Sequence, residues 1–259
     1  TMTQPLPILI AGAGPAGLSL APALARKGIP AEVFEADAEL NTQIRASTFH
    51  PKTLEMFEAW GVVNDIIKHG YKVDQLQYWE RAPRRLIADF SYASIADDTP
   101  YPYRLQCPQH IATRVLKPAV EATATGKVNM GHKLIDFTDH GTHITARFET
   151  ASGIVEREGS YIVGADGSHS AVRKQLNIGF KGKTYEDRFL LIGSDLKTDD
   201  LLPGAAQQRD RTILQPDFPE HVAQDREARG GHLLALSFVG QTRERFLRRI
   251  TLPGATRLP

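Results

Sequence analysis

Pro7-Ile8-Leu9-Ile10-Ala11-Gly12-Ala13-Gly14-Pro15-Ala16-Gly17 is the stretch that decides the fold. Its apolar opening is long enough for a buried parallel strand, and the glycines that follow have the GxGxxG form. Leu18 to Lys27, rich in Ala and Leu, reads as a helix stopped at Gly28, and Ala31 to Glu35 reads as a second strand. Strand, glycine turn, helix and strand make a right-handed βαβ crossover, the unit that binds dinucleotides in α/β folds. Gly12 permits the tight turn, Gly14 lets the backbone reach a pyrophosphate, and Gly17 lets the helix approach the strand. Pro15 and Ala16 open the helix, whose first amides and positive dipole end face the anion. Glu35 follows Gly17 by 18 residues, where a carboxylate accepts from both ribose hydroxyls and disfavours a 2′-phosphate.

Working outward, Ser47-Thr48-Phe49-His50-Pro51 offers hydroxyl caps and an early proline for a helix running to about Trp60 and closed by Gly61. Leu76 to Trp79 and Leu86 to Phe90 read as strands around a Pro83-Arg84-Arg85 turn. Ile111 to Thr125 has helical periodicity, with a kink expected at Pro118. Lys133 to Thr138 and Thr142 to Phe148 form a hairpin, and a turn at Ala151-Ser152-Gly153 adds another strand. Tyr161 to Ala165 is again apolar and meets Asp166-Gly167, an Asx-type turn whose carboxylate can accept from nearby amides and hydroxyls. Arg173, just beyond, is placed to clamp that turn by a salt bridge. The expected class is therefore α/β, a Rossmann-like nucleotide domain interrupted by a β-rich one.

The chain's 259 residues suffice for one large domain or two joined ones, and a formal net charge of +1 disfavours nucleic acid or an anionic membrane as partner. A single cysteine, Cys107, excludes an intrachain disulfide framework, fits a reducing compartment and reads as packed rather than reactive. No apolar run approaches membrane-spanning length, the N-terminus lacks a signal-peptide n-region, and a cytoplasmic protein is expected. The histidines have no metal-ligand spacing, so no metal site is expected. From Ala205 to Pro259 there are nine arginines and no lysine, against eleven of each before it. Only His232 to Val239 there looks like a core strand. Gln224 to Gly231 and Thr242 to Arg249 read as an exposed helix and loops, or as sequence that has left its parent fold through truncation or a shifted frame.

Four segments together resemble the class A flavoprotein monooxygenases, with the para-hydroxybenzoate hydroxylase fold. They are Gly12 to Gly17 with Glu35; Arg45-Ala46-Ser47-Thr48; Gln109-His110-Ile111-Ala112-Thr113-Arg114; and Gly164-Ala165-Asp166-Gly167-Ser168-His169-Ser170-Ala171-Val172-Arg173. The resemblance implies FAD as cofactor, with Arg45 near the diphosphate, Gln109 and Arg114 beside the ribityl chain, and Asp166 and Gly167 in a motif serving both FAD and NAD(P)H. It divides the chain into FAD-binding parts at 1–75 and 106–180, substrate-domain strands at 76–105, and an incomplete substrate domain at 181–259 with the Arg-rich tail. The implied reaction is hydroxylation of a small phenol-like ring by O2 through a flavin C4a-hydroperoxide, with NADH or NADPH as transient reductant. Tyr101, Tyr103 and Tyr185 could line the substrate side, but core packing is the expected role for any one of them. No catalytic residue is singled out, and the oligomeric state is open, a homodimer being one option.

The family also carries a downstream Gly-Asp pair that holds the ribityl chain, and this sequence contains no Gly-Asp dipeptide. Truncation before that motif is the expectation. Two other readings use the same residues: a related flavin reductase or dehydrogenase, and a nucleotide-binding remnant without turnover. A halogenase is disfavoured by the lack of a Trp-x-Trp signature.

Overall fold

The computed structural model describes residues 5–43, 46–80, 85–183, 188–194, 211–214, 222–223 and 232–238. In chain order the elements are β1 (Ile8–Ala11), α1 (Pro15–Ala25), β2 (Ala31–Phe34), β3 (Thr48–Phe49), α2 (Pro51–Ala59), α3 (Val63–Lys68), β4 (Tyr71–Val73), β5 (Gln75–Glu80) and β6 (Arg85–Ser91). After a 3-10 turn come β7 (Arg104–Gln106), α4 (Gln109–Glu121), β8 (Gly126–Asn129), β9 (Lys133–Asp139), β10 (Ile144–Thr150), β11 (Gly153–Gly159), β12 (Tyr161–Gly164) and α5 (Ala171–Gln175). The remainder holds β13 (Arg188–Ser194), β14 (Arg211–Leu214), β15 (Val222–Ala223) and β16 (His232–Phe238). The arginine-dense segments Gln224 to Gly231 and Thr242 to Arg249, the turn residues Pro83 and Arg84, and Tyr185 lie outside the described residues.

The chain divides into two compact units, one of Thr1–Lys72 and Ile95–Lys181 and the other of Val73–Ser94 and Gly182–Pro259. At the heart of the first is a parallel sheet in the order β12-β1-β2-β8. Alternation along its strands sorts their side chains onto two faces. Ile10 and Val33 point to one side, where Leu18 and Ala21 of α1 and Leu116 and Val120 of α4 complete a buried cluster. Leu9, Ala11 and Phe34 point to the other and meet Phe137, Ala146 and Phe148 of the antiparallel sheet β11-β10-β9. Phe34 and Phe148 stack with centroids 4.1 Å apart. Leu9 and Ile10 are both fully buried, and side chains of this size stabilise by about 1.5–3 kcal/mol each.

The second unit contains the sheets β15-β14-β5-β6 and β13-β16. Strand β16 pairs antiparallel along the whole of β13.

Two local expectations change, and one is met. Ser47 and Thr48 do not cap α2; His50 precedes it, and no side chain caps its first amides. Both hydroxyls instead donate to Oε1 of Gln106, 3.4 and 3.0 Å away across the β3–β7 pair. The α4 helix starts two residues earlier than periodicity suggested and continues through Pro118. The carbonyl that Pro118 leaves without a donor is that of Arg114, and both residues lie on the exposed face, within reach of solvent. Tyr101 and Tyr103 are core residues of the first unit, in edge contact at 6.1 Å. Burial, aided by Glu58 as hydrogen-bond partner, holds the Tyr101 phenol above its ordinary pKa.

Candidate functional site

A cleft of about 610 Å³ opens at the carboxyl ends of β1 and β2, entirely within the first unit. Ligands of open α/β sheets bind at this end. Its floor is the turn Gly12–Ala16. Gly12 has φ +103°, and a Cβ there would lie 2.4 Å from the carbonyl oxygen of Ala165. The turn after β1 thus rests directly on the turn after β12. Gly17 is equally confined, with the oxygen of Gly12 at 2.0 Å from where its Cβ would stand. Gly14 is different: nothing lies within 4 Å of its Cβ direction. It is a gap in the floor through which backbone can approach a ligand.

Pro15 begins α1 with no acidic residue in the first turn, and the Leu18 amide already bonds the Gly14 carbonyl at 3.0 Å. The amides of Ala16 and Gly17 are left without intrahelical acceptors at the positive end of the helix. Such an arrangement suits a diphosphate. At the end of β2, Oε2 of Glu35 accepts from the Ala13 amide at 2.7 Å and Oε1 from the Asp37 amide at 3.2 Å. The carboxylate therefore ties the second strand to the glycine turn and stands in the cleft wall where a ribose would meet it.

The remaining walls come from distant sequence. Gln109 lines the cleft, its backbone amide held by the carbonyl of Ala46 at 3.0 Å. Arg114 is exposed and does not line it, while His110 and Thr113 do. Spacing could have found Thr113, since it follows Gln109 by four residues and shares its helix face. Asp166 and Gly167 line the opposite wall with His169. Oδ2 of Asp166 accepts from the amides of Ala171 and Val172 at 2.7 and 3.4 Å, capping α5. Its Oδ1 is buried and has no partner among the described residues. It lies against Gly164, 3.2 Å from where a Cβ there would stand. Arg173 makes no salt bridge to this turn; it donates to the Ser168 carbonyl at 2.7 Å and lies over the Phe180 ring at 4.6 Å. The Asp166 carboxylate is already turned inward to the α5 amides, out of service for that pairing. His132, Lys133 and Leu134, from the junction of β8 and β9, close the rim near Glu35. Arg45 lies outside the described residues.

A family model described as FAD binding domain matches residues 5–226. The chain belongs to this family, that of the class A flavoprotein monooxygenases. A flavin-dependent monooxygenase of Mycobacteroides abscessus is 30% identical over 201 residues, 75% of this chain and 42% of that protein. Para-nitrophenol 4-monooxygenase of a Pseudomonas strain is 24% identical over 183 residues, 71% of this chain and 45% of the relative. The chain thus spans less than half the length of these two curated relatives. The crystal structure of p-nitrophenol 4-monooxygenase from Pseudomonas putida superposes with a TM-score of 0.77 at 21% identity, covering 96% of this chain and 62% of that one. That likeness speaks to the fold.

FAD is the cofactor of the family, and the cleft fits its ADP half. The glycine turn and the α1 amides would meet the diphosphate, and Glu35 the ribose. Among the described residues, no cluster could hold a metal ion, and no helix is long and apolar enough to cross a membrane.

Proposed function

We propose that this chain is the FAD-binding part of an aromatic monooxygenase that hydroxylates a small phenol-like ring with O2, using NADH or NADPH as reductant. The observation that carries the reading is the cleft itself, with an open Gly14 floor and Glu35 wall, in a chain whose family match runs over residues 5–226. Relatives named para-nitrophenol and pentachlorophenol 4-monooxygenase point to the substrate class. Bound FAD supplies the redox and oxygen chemistry. The protein's own part is to bind and orient. Amides of Ala16 and Gly17 neutralise the diphosphate, Glu35 fixes the ribose, and Gln109 and the Asp166–Gly167 turn hold the chain that leads to the flavin ring. We assign the second unit, Val73–Ser94 and Gly182–Pro259 with β5, β6 and β13, to the substrate side, and the enzyme to the cytoplasm. Residues 95–105, expected there from the sequence, belong to the first unit.

Purified protein reconstituted with FAD tests the assignment. The expected result is a flavin-coloured protein that oxidises NADH or NADPH faster when a para-substituted phenol is added, with the hydroxylated phenol recovered by mass spectrometry. Faster oxidation with no hydroxylated product would replace hydroxylation by simple flavin reduction. Failure to take up FAD would overturn the reading at its base.

A further inference from the structure

His132 was not singled out by any motif, yet it stands beside Glu35. Its backbone amide donates to the Glu35 carbonyl at 2.7 Å, and that of Gly131 donates to the Asp37 carbonyl at 2.9 Å. The two segments are thereby zipped together along the cleft rim. The imidazole is half-buried and wedged against the aromatic pair beneath it, 5.9 Å from Phe34 and 6.3 Å from Phe148 between centroids. Its Nδ1 lies 2.7 Å from the carbonyl oxygen of Met130. A carbonyl only accepts, so Nδ1 carries the hydrogen, and in the neutral ring Nε2 is left as a lone-pair acceptor. Among the described residues Nε2 has no partner, and His132 lines the cleft.

FAD carries its adenine on the ribose that Glu35 is assigned to hold. Along its edges adenine offers one strong donor, the exocyclic N6 amine, while N7 and N3 accept. An acceptor with a fixed tautomer beside the ribose site therefore selects the amine. We propose that His132 is the purine-reading residue of this cleft: Nε2 accepts from the adenine N6 amine, and Met130 holds the ring in the tautomer that makes this possible. A purine with a carbonyl at position 6 would set oxygen against nitrogen lone pair. The inference rests on the cleft being the dinucleotide site.

ADP and IDP, which differ at that position, are the probes. Isothermal titration of each into the flavin-stripped full chain is expected to give about tenfold tighter binding of ADP, the value of one neutral hydrogen bond. His132→Phe keeps the aromatic packing and removes Nε2, and is expected to bind the two nucleotides equally. The ratio is read within each protein, so general loosening of the rim cancels. Equal affinities in the unmodified chain, or a preference that survives His132→Phe, would overturn the proposal while leaving the cleft assignment intact. Binding of neither nucleotide would overturn the cleft assignment and the proposal with it.

Discussion

Gly12 and Gly14 are two positions apart and have opposite duties. Gly12 is needed by the fold: its φ of +103° and the Ala165 carbonyl 2.4 Å from its Cβ direction leave no room for a side chain. Gly14 is needed by the ligand, since its Cβ would enter open cleft. Gly12→Ala is expected to lower the melting temperature by on the order of 5–10 °C, from backbone strain worth about 1–3 kcal/mol together with the clash. Gly14→Val is expected to melt like the unmodified, ligand-free chain and to lose FAD affinity by at least about tenfold. Thermal melts followed by circular dichroism, paired with flavin titrations, separate the two. Equal melting losses in both variants would show that Gly14 is structural after all.

Among the elements, the β9–β10 pair has a feature sensitive to acid. Arg147 grips Asp136 across the strands with Nε at 2.7 Å and Nη2 on the second oxygen, and this hydrogen bonding holds the Asp136 carboxyl below its ordinary 3.8. Because the folded pKa is depressed, the pair's contribution is complete above the unfolded value and is lost as pH falls through the folded one. Asp136→Asn should therefore have a lower urea midpoint than the parent at pH 7, with the gap closing as the pH falls through the depressed carboxyl pKa, below 3.8. A gap that persists in acid would mean the loss is one of packing. Both side chains are more than a third exposed, so the effect is small. Elements were legible in the sequence where residue type leaves one option. The glycine turn, the strand on each side of it and the Asp166 turn all fell within a residue or two of their observed places. What could not be read was set by long-range pairing. Ser47 and Thr48 look like caps until β7 brings Gln106 to them, and His132 reaches the cleft only because β8 lies beside β2. Arg114 was chosen by motif, whereas helix geometry selects Thr113.

At the scale of the molecule, every described residue lining the cleft belongs to the first unit, so capture of the ADP half is expected to be a property of that unit. Recognition is expected to lie mainly in the ADP half. FAD at about a hundred times its Kd should then stabilise by about 2.7 kcal/mol, a rise in melting temperature of several degrees. FMN, which lacks the ADP half, should leave the melt unchanged at the same concentration. An equal rise with both would move recognition to the flavin ring.

The sheet order has a consequence for biosynthesis. Strand β1 is flanked by β2, which follows at once, and by β12, which pairs Tyr161–Gly164 with Ile8–Ala11. Translation delivers the glycine turn early and the Ala165 carbonyl it rests on late. Until then one edge of an apolar strand is bare, the condition that invites pairing with foreign chains. Until residues 161–165 have emerged, the glycine turn lacks the carbonyl it rests on, so the flavin site cannot be complete before β12 is in place.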